Sequence, residues 1–155
     1  MKFDHPENER VLRCLKRHWD GTPPQNLSAP PSVYELYSNA LGTHPDLADY
    51  FWNSLTAKLP ERCAWVAYGN PVLVRPKSAV IFGFAGGTHT YALRLPEEAM
   101  REAVVAGAKR IHIYSNGTQL SLADVGDEWI FGGWFKEEPA WCLSAYHMAG
   151  SISRI

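Results

Sequence analysis

The chain contains 155 residues, 46% of them hydrophobic and 20% charged, so it is long enough to bury a core and its composition excludes wholesale disorder. The formal net charge of −1 gives no electrostatic reason to expect nucleic-acid binding. No run of about 18 apolar residues predicts a membrane span, and the polar N-terminus does not resemble a secretory signal. Three widely spaced cysteines favour reduced thiols over disulfides or a zinc site. We therefore expect one cytoplasmic domain over residues 1–155, without metal or cofactor.

The first predicted element is an N-terminal helix over residues 1–20. Asp4 and Glu7 have the spacing of a capping box, and the apolar residues that follow recur with a helical period: Val11, Leu12, Leu15 and Trp19. Acidic residues offset the basic residues on the other side, which indicates a solvated face. Residues 21–32 contain four prolines and no charge, so they predict an extended linker to a body formed by residues 33–155.

Two more helices are predicted before the pattern changes. Ser32 and Glu35 form a capping box for a short helix that ends at Gly42. Thr43 caps the second helix and Pro60 ends it. The hydrophobic residues of this second helix recur every four positions: Leu47, Phe51, Leu55 and Leu59.

From residue 63 onwards, short runs of β-branched and aromatic residues alternate with turn dipeptides. Seven runs are predicted as strands: residues 63–68, 72–75, 79–85, 89–95, 110–115, 118–123 and 129–134. A helix from Pro96 to Ala106, with Met100, Ala103 and Val104 inward, interrupts them, and a last helix begins near Pro139. Strands joined by tight turns pair antiparallel. The sequence thus predicts an α+β fold, in which a predominantly antiparallel sheet of six or seven strands is covered on one face by helices.

The stretch VIFGFAGGTHTYALRLP (residues 80–96) allows either a glycine loop that binds a ligand or a hairpin turn. A phosphate-binding loop opens onto a helix and usually carries a lysine, whereas Gly86-Gly87 precedes an alternating strand and no lysine follows before Lys109. We therefore predict a two-residue turn at Gly86-Gly87, with Phe84 opposite His89. That register places six residues on one face: Val80, Phe82, Phe84, His89, Tyr91 and Leu93.

A second hairpin is predicted around Asn116-Gly117, with Ile113 opposite Leu120. This register leaves a polar face, and with the first hairpin it defines a candidate ligand patch: His89, Arg110, His112 and Tyr114. A solvated sheet face explains the last three residues equally well. His89 is either a hydrogen-bonded residue beside the aromatic face or a general base, a role that requires a neighbouring carboxylate or nucleophile.

The segment from residue 125 to residue 141 combines acidic and aromatic side chains. Its candidate partner-binding residues are Asp127, Glu128, Trp134 and Glu137. A buried central strand explains why large apolar residues alternate onto both of its sides, and this is the favoured interpretation. An edge strand that presents Trp134 within an acidic rim would instead suit a basic partner.

No catalytic motif is present, since the chain lacks a nucleophile elbow, a Walker loop and any metal-ligand spacing among its six histidines. Six tryptophans are many for this length, and tryptophan is enriched in binding hot spots. We therefore predict a non-catalytic domain that binds another protein, of the kind that bacterial immunity proteins represent. The alternatives are an enzyme that uses His89 or His112 as acid or base, and a module that binds a small ligand.

Overall fold

The computed structural model describes residues 4–16, 25–26, 45–68, 70–86, 90–108, 111–113, 119–121, 125–126, 128–132 and 138–152. In chain order the described elements are a 3₁₀ turn (Pro6–Asn8), α1 (Glu9–Lys16), β1 (Gln25–Asn26), α2 (Pro45–Asp49), a π-helix (Tyr50–Ser54) that continues α2, β2 (Ala64–Ala67), β3 (Asn70–Arg75), β4 (Val80–Gly86), β5 (Thr90–Arg94), α3 (Glu97–Ala106), β6 (Ile111–Ile113), β7 (Gln119–Ser121), β8 (Trp129–Gly132) and α4 (Glu138–Ser151). The predicted α+β class with an antiparallel sheet is confirmed. The helix predicted over residues 32–42 lies outside the described residues.

The central sheet consists of β2, β3, β4, β5 and β8, each antiparallel to the next in that order. The two-residue strand β1 comes from the predicted linker and extends this sheet beside β2. Strands β6 and β7 pair only with each other in a separate hairpin. The prediction of six or seven strands in one sheet is therefore not confirmed, because two of the predicted strands pair apart from the other five.

Helices cover both faces of the sheet, and two cores result. The first core lies beneath α2, the π-helix, α3 and α4, and it includes Phe51, Leu73, Phe82, Leu93 and Cys142. The second core lies beneath α1, and it includes Val11, Cys14, Leu15, Trp65, Phe84 and Trp129. The prediction that helices cover one face is wrong, because the strands carry large apolar side chains on both sides and each side has to be shielded from water.

A β-bulge in β4 decides which aromatic side chain enters which core. Leu73 pairs with Gly83 but Val74 pairs with Ile81, so Phe82 is the additional residue. As a result, Phe82 packs in the first core and Phe84 in the second. The prediction that both rings share one face is wrong, since simple alternation contains no bulge.

The turn after β4 is longer than predicted. Gly86 pairs with Thr90 and Ala85 with Tyr91, so three residues (87–89) connect the two strands. The stretch is a hairpin, as predicted, but the two-residue turn that pairs Phe84 with His89 is wrong. In the second hairpin, His112 pairs with Leu120 and Ile113 with Gln119, a shift of one residue from the predicted register.

The helix ends show how side chains replace missing backbone partners. His5, not Asp4, caps the N-terminal turn, because its Nδ1 accepts a hydrogen bond from the Glu7 N–H at 3.1 Å. Gly107 ends α3 with φ 118°, the left-handed conformation that glycine adopts without strain. In α3, Met100 and Ala103 are buried as predicted but Val104 is 44% exposed, and Ala99 takes its inward place.

The C-terminal end of α4 is fastened to the turn between β3 and β4. Arg75 donates to the Tyr146 carbonyl at 2.9 Å, and its guanidinium carbon lies 3.9 Å from the centre of the Tyr146 ring. Ser78 donates to the Ala149 carbonyl at 3.1 Å. Ser78 thereby satisfies a carbonyl in the last turn of α4, and the Arg75 charge complements the helix dipole. Among the described helices, none is both long and apolar enough to cross a membrane.

Candidate functional site

Most of the predicted site residues lie outside the part of the chain that the structure describes. Glu128 is the only one of the eight whose side chain the structure describes. Outside the described residues lie His89, Arg110, Tyr114, Asp127, Trp134 and Glu137. His112 belongs to β6, where its backbone pairs with that of Leu120. The ligand patch and the partner-binding segment therefore stay predictions, and Glu128 is the starting point for the site.

Glu128 lies beside a cleft of about 330 Å³ between the N-terminal segment and the end of the sheet. The cleft is lined by Pro6, Glu7, Arg10, Arg94, Val125, Gly126, Glu128 and Trp129. Its volume is at the lower end of the range of small-ligand pockets, which also suits a single long side chain of a partner protein. Of the residues that line the cleft, only Glu128 was predicted as a site residue.

Arg94 organises this cleft. Its side chain is only 10% exposed, and its Nε donates to Glu128 Oε2 at 2.7 Å. Its Nη2 lies 2.6 Å from the same Glu128 oxygen and 3.0 Å from Glu7 Oε2. Two carboxylates therefore share one guanidinium, and these three groups together carry a net charge of −1. We call them the Arg94 triad.

The fold positions each member of the triad through backbone contacts. Arg94 is the last residue of β5 and pairs with Trp129 of β8, which brings the residue before Trp129 to the same place. The Leu95 N–H also donates to the Glu128 carbonyl at 2.7 Å. On the other wall, the His5 cap fixes the turn that carries Glu7. The triad thus joins three segments that are distant in sequence.

The two carboxylates of the triad remain accessible to a ligand. The side chains of Glu7 and Glu128 are 44% and 50% exposed. Within the described part of the chain, both bind Arg94 through Oε2 alone, and Oε1 of each accepts no other hydrogen bond. Arg94 therefore holds two carboxylates in fixed positions, each with an oxygen available to a hydrogen-bond donor.

A second polar cluster is buried at the start of α4. Tyr50 Oη donates to Glu138 Oε1 at 2.5 Å, and Glu138 has no exposed surface. Tyr91 packs against Tyr50, with ring centroids 6.2 Å apart, and its buried Oη has no hydrogen-bond partner among the described residues. Burial raises the pKa of both tyrosines above the ordinary value, so both hydroxyls stay protonated at neutral pH. The cluster is enclosed in the first core and belongs to its structure.

The described thiols and tryptophans are also structural. Burial, and secondarily the Glu61 carboxylate, raises the pKa of the Cys63 thiol to about 12, and burial likewise raises the pKa of Cys142. A protonated buried thiol is a poor nucleophile. The four tryptophans whose side chains are described are all buried: Trp52, Trp65, Trp129 and Trp141. Among the described residues, no three metal-ligating side chains are grouped closely enough to hold an ion.

Strand β8 combines features of the two interpretations of its segment. Trp129, Ile130 and Phe131 are buried, with Ile130 in the first core and the other two in the second. Large apolar groups therefore lie on both sides, as the sequence indicates. The favoured burial of this strand is confirmed, whereas its central position is not, because among the described strands β8 pairs only with β5 and lies at the end of the central sheet.

Arg94 and Glu7 were not predicted as site residues, although the sequence contains a sign of the first. Arg94 is the one charged residue in the strand sequence TYALR, and a charged side chain buried in a strand needs partners. No comparable pattern marks Glu7, which reaches Arg94 only through tertiary folding.

Comparisons of the chain with protein-family models, curated proteins and solved structures give no match.

Proposed function

We propose that the chain is a non-catalytic domain that binds another protein, and that the Arg94 triad receives a basic side chain of this partner. The observation that supports the proposal is the pair of half-exposed carboxylates held by one nearly buried guanidinium. This arrangement presents two carboxylates at a cleft that admits a lysine or arginine side chain, and Arg10 lines the same cleft. The proposal places the protein among small cytoplasmic interaction proteins, for which immunity-type proteins are the example.

Fixed carboxylates favour binding for two physical reasons. Because Arg94 already restricts the Glu7 and Glu128 side chains, less conformational entropy is lost when a partner docks. Charge complementarity also steers a basic partner toward the cleft and raises its association rate, and salt weakens this effect. A docked cation would meet Oε1 of each carboxylate while Arg94 continues to hold Oε2.

The predicted partner-binding segment extends the same proposal. Asp127 and Glu137 would add negative charge near Glu128, and Trp134 would supply the apolar anchor that binding hot spots commonly contain. Since the four described tryptophans are buried, Trp134 and Trp19 are the tryptophans left for this role. We expect Trp134 to contribute affinity and the acidic rim to contribute rate and specificity.

The test is capture of the partner by three immobilised forms of the protein. The first is the natural chain, and the second carries Glu7→Gln together with Glu128→Gln. The third carries Glu98→Gln, which removes an exposed carboxylate of α3 that does not line the cleft. Proteins captured from a native lysate are identified by mass spectrometry, and their affinities are then measured at two salt concentrations.

We expect one stoichiometric partner with a basic surface, captured equally by the natural chain and the Glu98→Gln control. The double variant should bind it on the order of tenfold more weakly, because charge-assisted hydrogen bonds are lost. Higher salt should weaken the natural complex more than the variant complex. Recovery of no stoichiometric partner, or of one that binds all three forms alike, would contradict the proposal.

A further inference from the structure

The segment from Asp4 to Lys16, here called the N-terminal strap, packs on the second face of the sheet through one side of a short helix. Its apolar contribution to the second core consists of Val11, Cys14 and Leu15, with Leu12 partly buried. Within the described residues, α1 is the only helix on this face, and it has eight residues. A helix of that length is not stable by itself in water, so it depends on docking.

The side chains of Asn8 and Glu7 fasten the start of the strap to the sheet. The buried Asn8 side chain bridges into the sheet, since its Nδ2 donates to the Ala79 carbonyl at 2.7 Å and its Oδ1 accepts from the Ile81 N–H at 2.8 Å. One residue earlier, Glu7 forms its ion pair with Arg94. A second ion pair of the strap, between Glu9 and Arg13, is exposed and stays within α1.

We propose that the N-terminal strap is a conformational latch on the cleft: residues 4–16 detach from the sheet as a unit while the rest of the fold persists, and the Glu7–Arg94 ion pair holds them closed. The strap is held by one short helix and by an ion pair whose Glu7 side chain is partly exposed, and such segments can open below the free energy of global unfolding. The strap supplies Pro6, Glu7 and Arg10 to the cleft, so its detachment removes one wall.

The arrangement of charges at the site changes when the latch opens. With the strap closed, two carboxylates face Arg94, and with the strap detached only Glu128 remains beside it. The strap also carries the Arg10 cation away, so the closed state differs in holding the pair of carboxylates and not in its net charge. This consequence for docking rests on the proposed function, whereas the latch itself does not. A cation bound in the cleft would favour closure, because it binds one state better than the other.

The three cysteines make the latch measurable. All three are buried thiols, but Cys14 belongs to the strap and packs in the second core, while Cys63 and Cys142 lie in the first. A disulfide reagent such as 5,5′-dithiobis(2-nitrobenzoate) reacts with a thiolate once it is exposed and releases thionitrobenzoate. Peptide mass spectrometry after quenching then gives a separate labelling rate for each cysteine of the folded protein.

We expect Cys14 to be labelled faster than the other two cysteines, with a rate that depends weakly on denaturant, because strap opening exposes little surface. Glu7→Gln should accelerate Cys14 labelling on the order of tenfold and leave Cys63 and Cys142 unchanged. Glu9→Gln is the matched control, since it removes a carboxylate of the same segment that pairs with Arg13 within α1. It should change the Cys14 rate by no more than about twofold.

Equal acceleration of all three cysteines by Glu7→Gln, or labelling of Cys14 only with the denaturant dependence of global unfolding, would overturn the latch. A further arm adds an acetylated and amidated tetra-arginine peptide, which should slow Cys14 labelling by favouring the closed strap. If the peptide has no effect while Glu7→Gln still accelerates Cys14 alone, the latch stands and the proposed docking of basic groups is the part that fails.

Discussion

The two faces of the sheet differ in how firmly they are covered. On the first face, α2 with its π-helix, α3 and α4 enclose an extensive apolar core, and Arg75 and Ser78 tie α4 to the turn between β3 and β4. On the second face, eight-residue α1 contributes a few apolar side chains and is secured by Asn8 and by the Glu7–Arg94 ion pair. The cleft is built at the second face. The comparison predicts that stability resides mainly in the first face, and the second face carries the proposed docking site and latch.

The largest effect is expected from truncation of the first core. Phe82 has no exposed surface and packs against Tyr146, with ring centroids 6.0 Å apart. Phe82→Ala should reduce the free energy of unfolding by about 3–5 kcal/mol, because it removes buried area and leaves a cavity. Urea denaturation followed by circular dichroism measures the loss. A loss below about 1 kcal/mol would show that this face is not the main source of stability.

Truncation of the second core should cost less, for a reason specific to the strap. Leu15 is 5% exposed, and Leu15→Ala would ordinarily reduce stability by about 2–5 kcal/mol. If the strap detaches independently, the loss cannot exceed the free energy that holds the strap closed, so we expect at most about 2 kcal/mol. The same denaturation experiment provides the value. A loss as large as that of Phe82→Ala would remove the distinction between the faces.

High pH should destabilise the whole fold through ionisable groups that are buried at the first face. Burial raises the pKa of Cys63 and of Tyr146 to about 12, and it also raises the pKa of Tyr50, Tyr91 and Cys142. In the unfolded chain these groups have ordinary pKa values of about 9 to 10 and lose their protons first as the pH rises. The stability that they contribute is therefore complete below about pH 9 and falls progressively toward pH 12.

Unfolding free energies measured at intervals between pH 7 and pH 11 test this dependence. The decline should begin near pH 9, and the content of α4, whose buried side contacts these groups, should fall together with global structure. Constant stability up to pH 11 would contradict the burial of ionisable groups in the first core.

The smallest expected effect comes from Tyr91→Phe. The Tyr91 hydroxyl is buried without a hydrogen-bond partner among the described residues, so its removal eliminates a desolvated polar group and leaves the packed ring in place. We expect the free energy of unfolding to stay the same or to rise by up to about 1 kcal/mol. Above pH 10, this free energy should fall less steeply with pH than in the natural chain. A loss of more than about 1 kcal/mol would indicate that the hydroxyl contributes a hydrogen bond to the Tyr50–Glu138 cluster.

The elements of the fold could be predicted from the sequence more readily than their register. Each of the seven predicted strands overlaps a strand of the structure, because a two-residue period and turn residues are local signals. The bulge at Phe82 and the three-residue turn after Gly86 are not local in this sense. They depend on how β3 and β5 fit beside β4, and an odd shift in register reverses the face that a side chain occupies.

The candidate site was accessible to sequence reasoning only in part. Glu128 stands in a segment that is unusual in composition, so it was predicted as a binding residue. Glu7 is separated from Arg94 by 87 positions, and Glu128 is separated from it by 34. No periodic or motif signal links residues so far apart, and the second face that brings them together was itself not predicted.

Native-state hydrogen exchange of the unmodified chain is the most direct comparison of the two faces. Amides of Val11 to Leu15 should exchange through an opening whose free energy is well below that of global unfolding and depends weakly on denaturant. Amides of β4 and of α4 should exchange only through global unfolding. If α1 exchanges with the same free energy and the same denaturant dependence as β4 and α4, the two faces form a single cooperative unit and the proposed division between them is wrong.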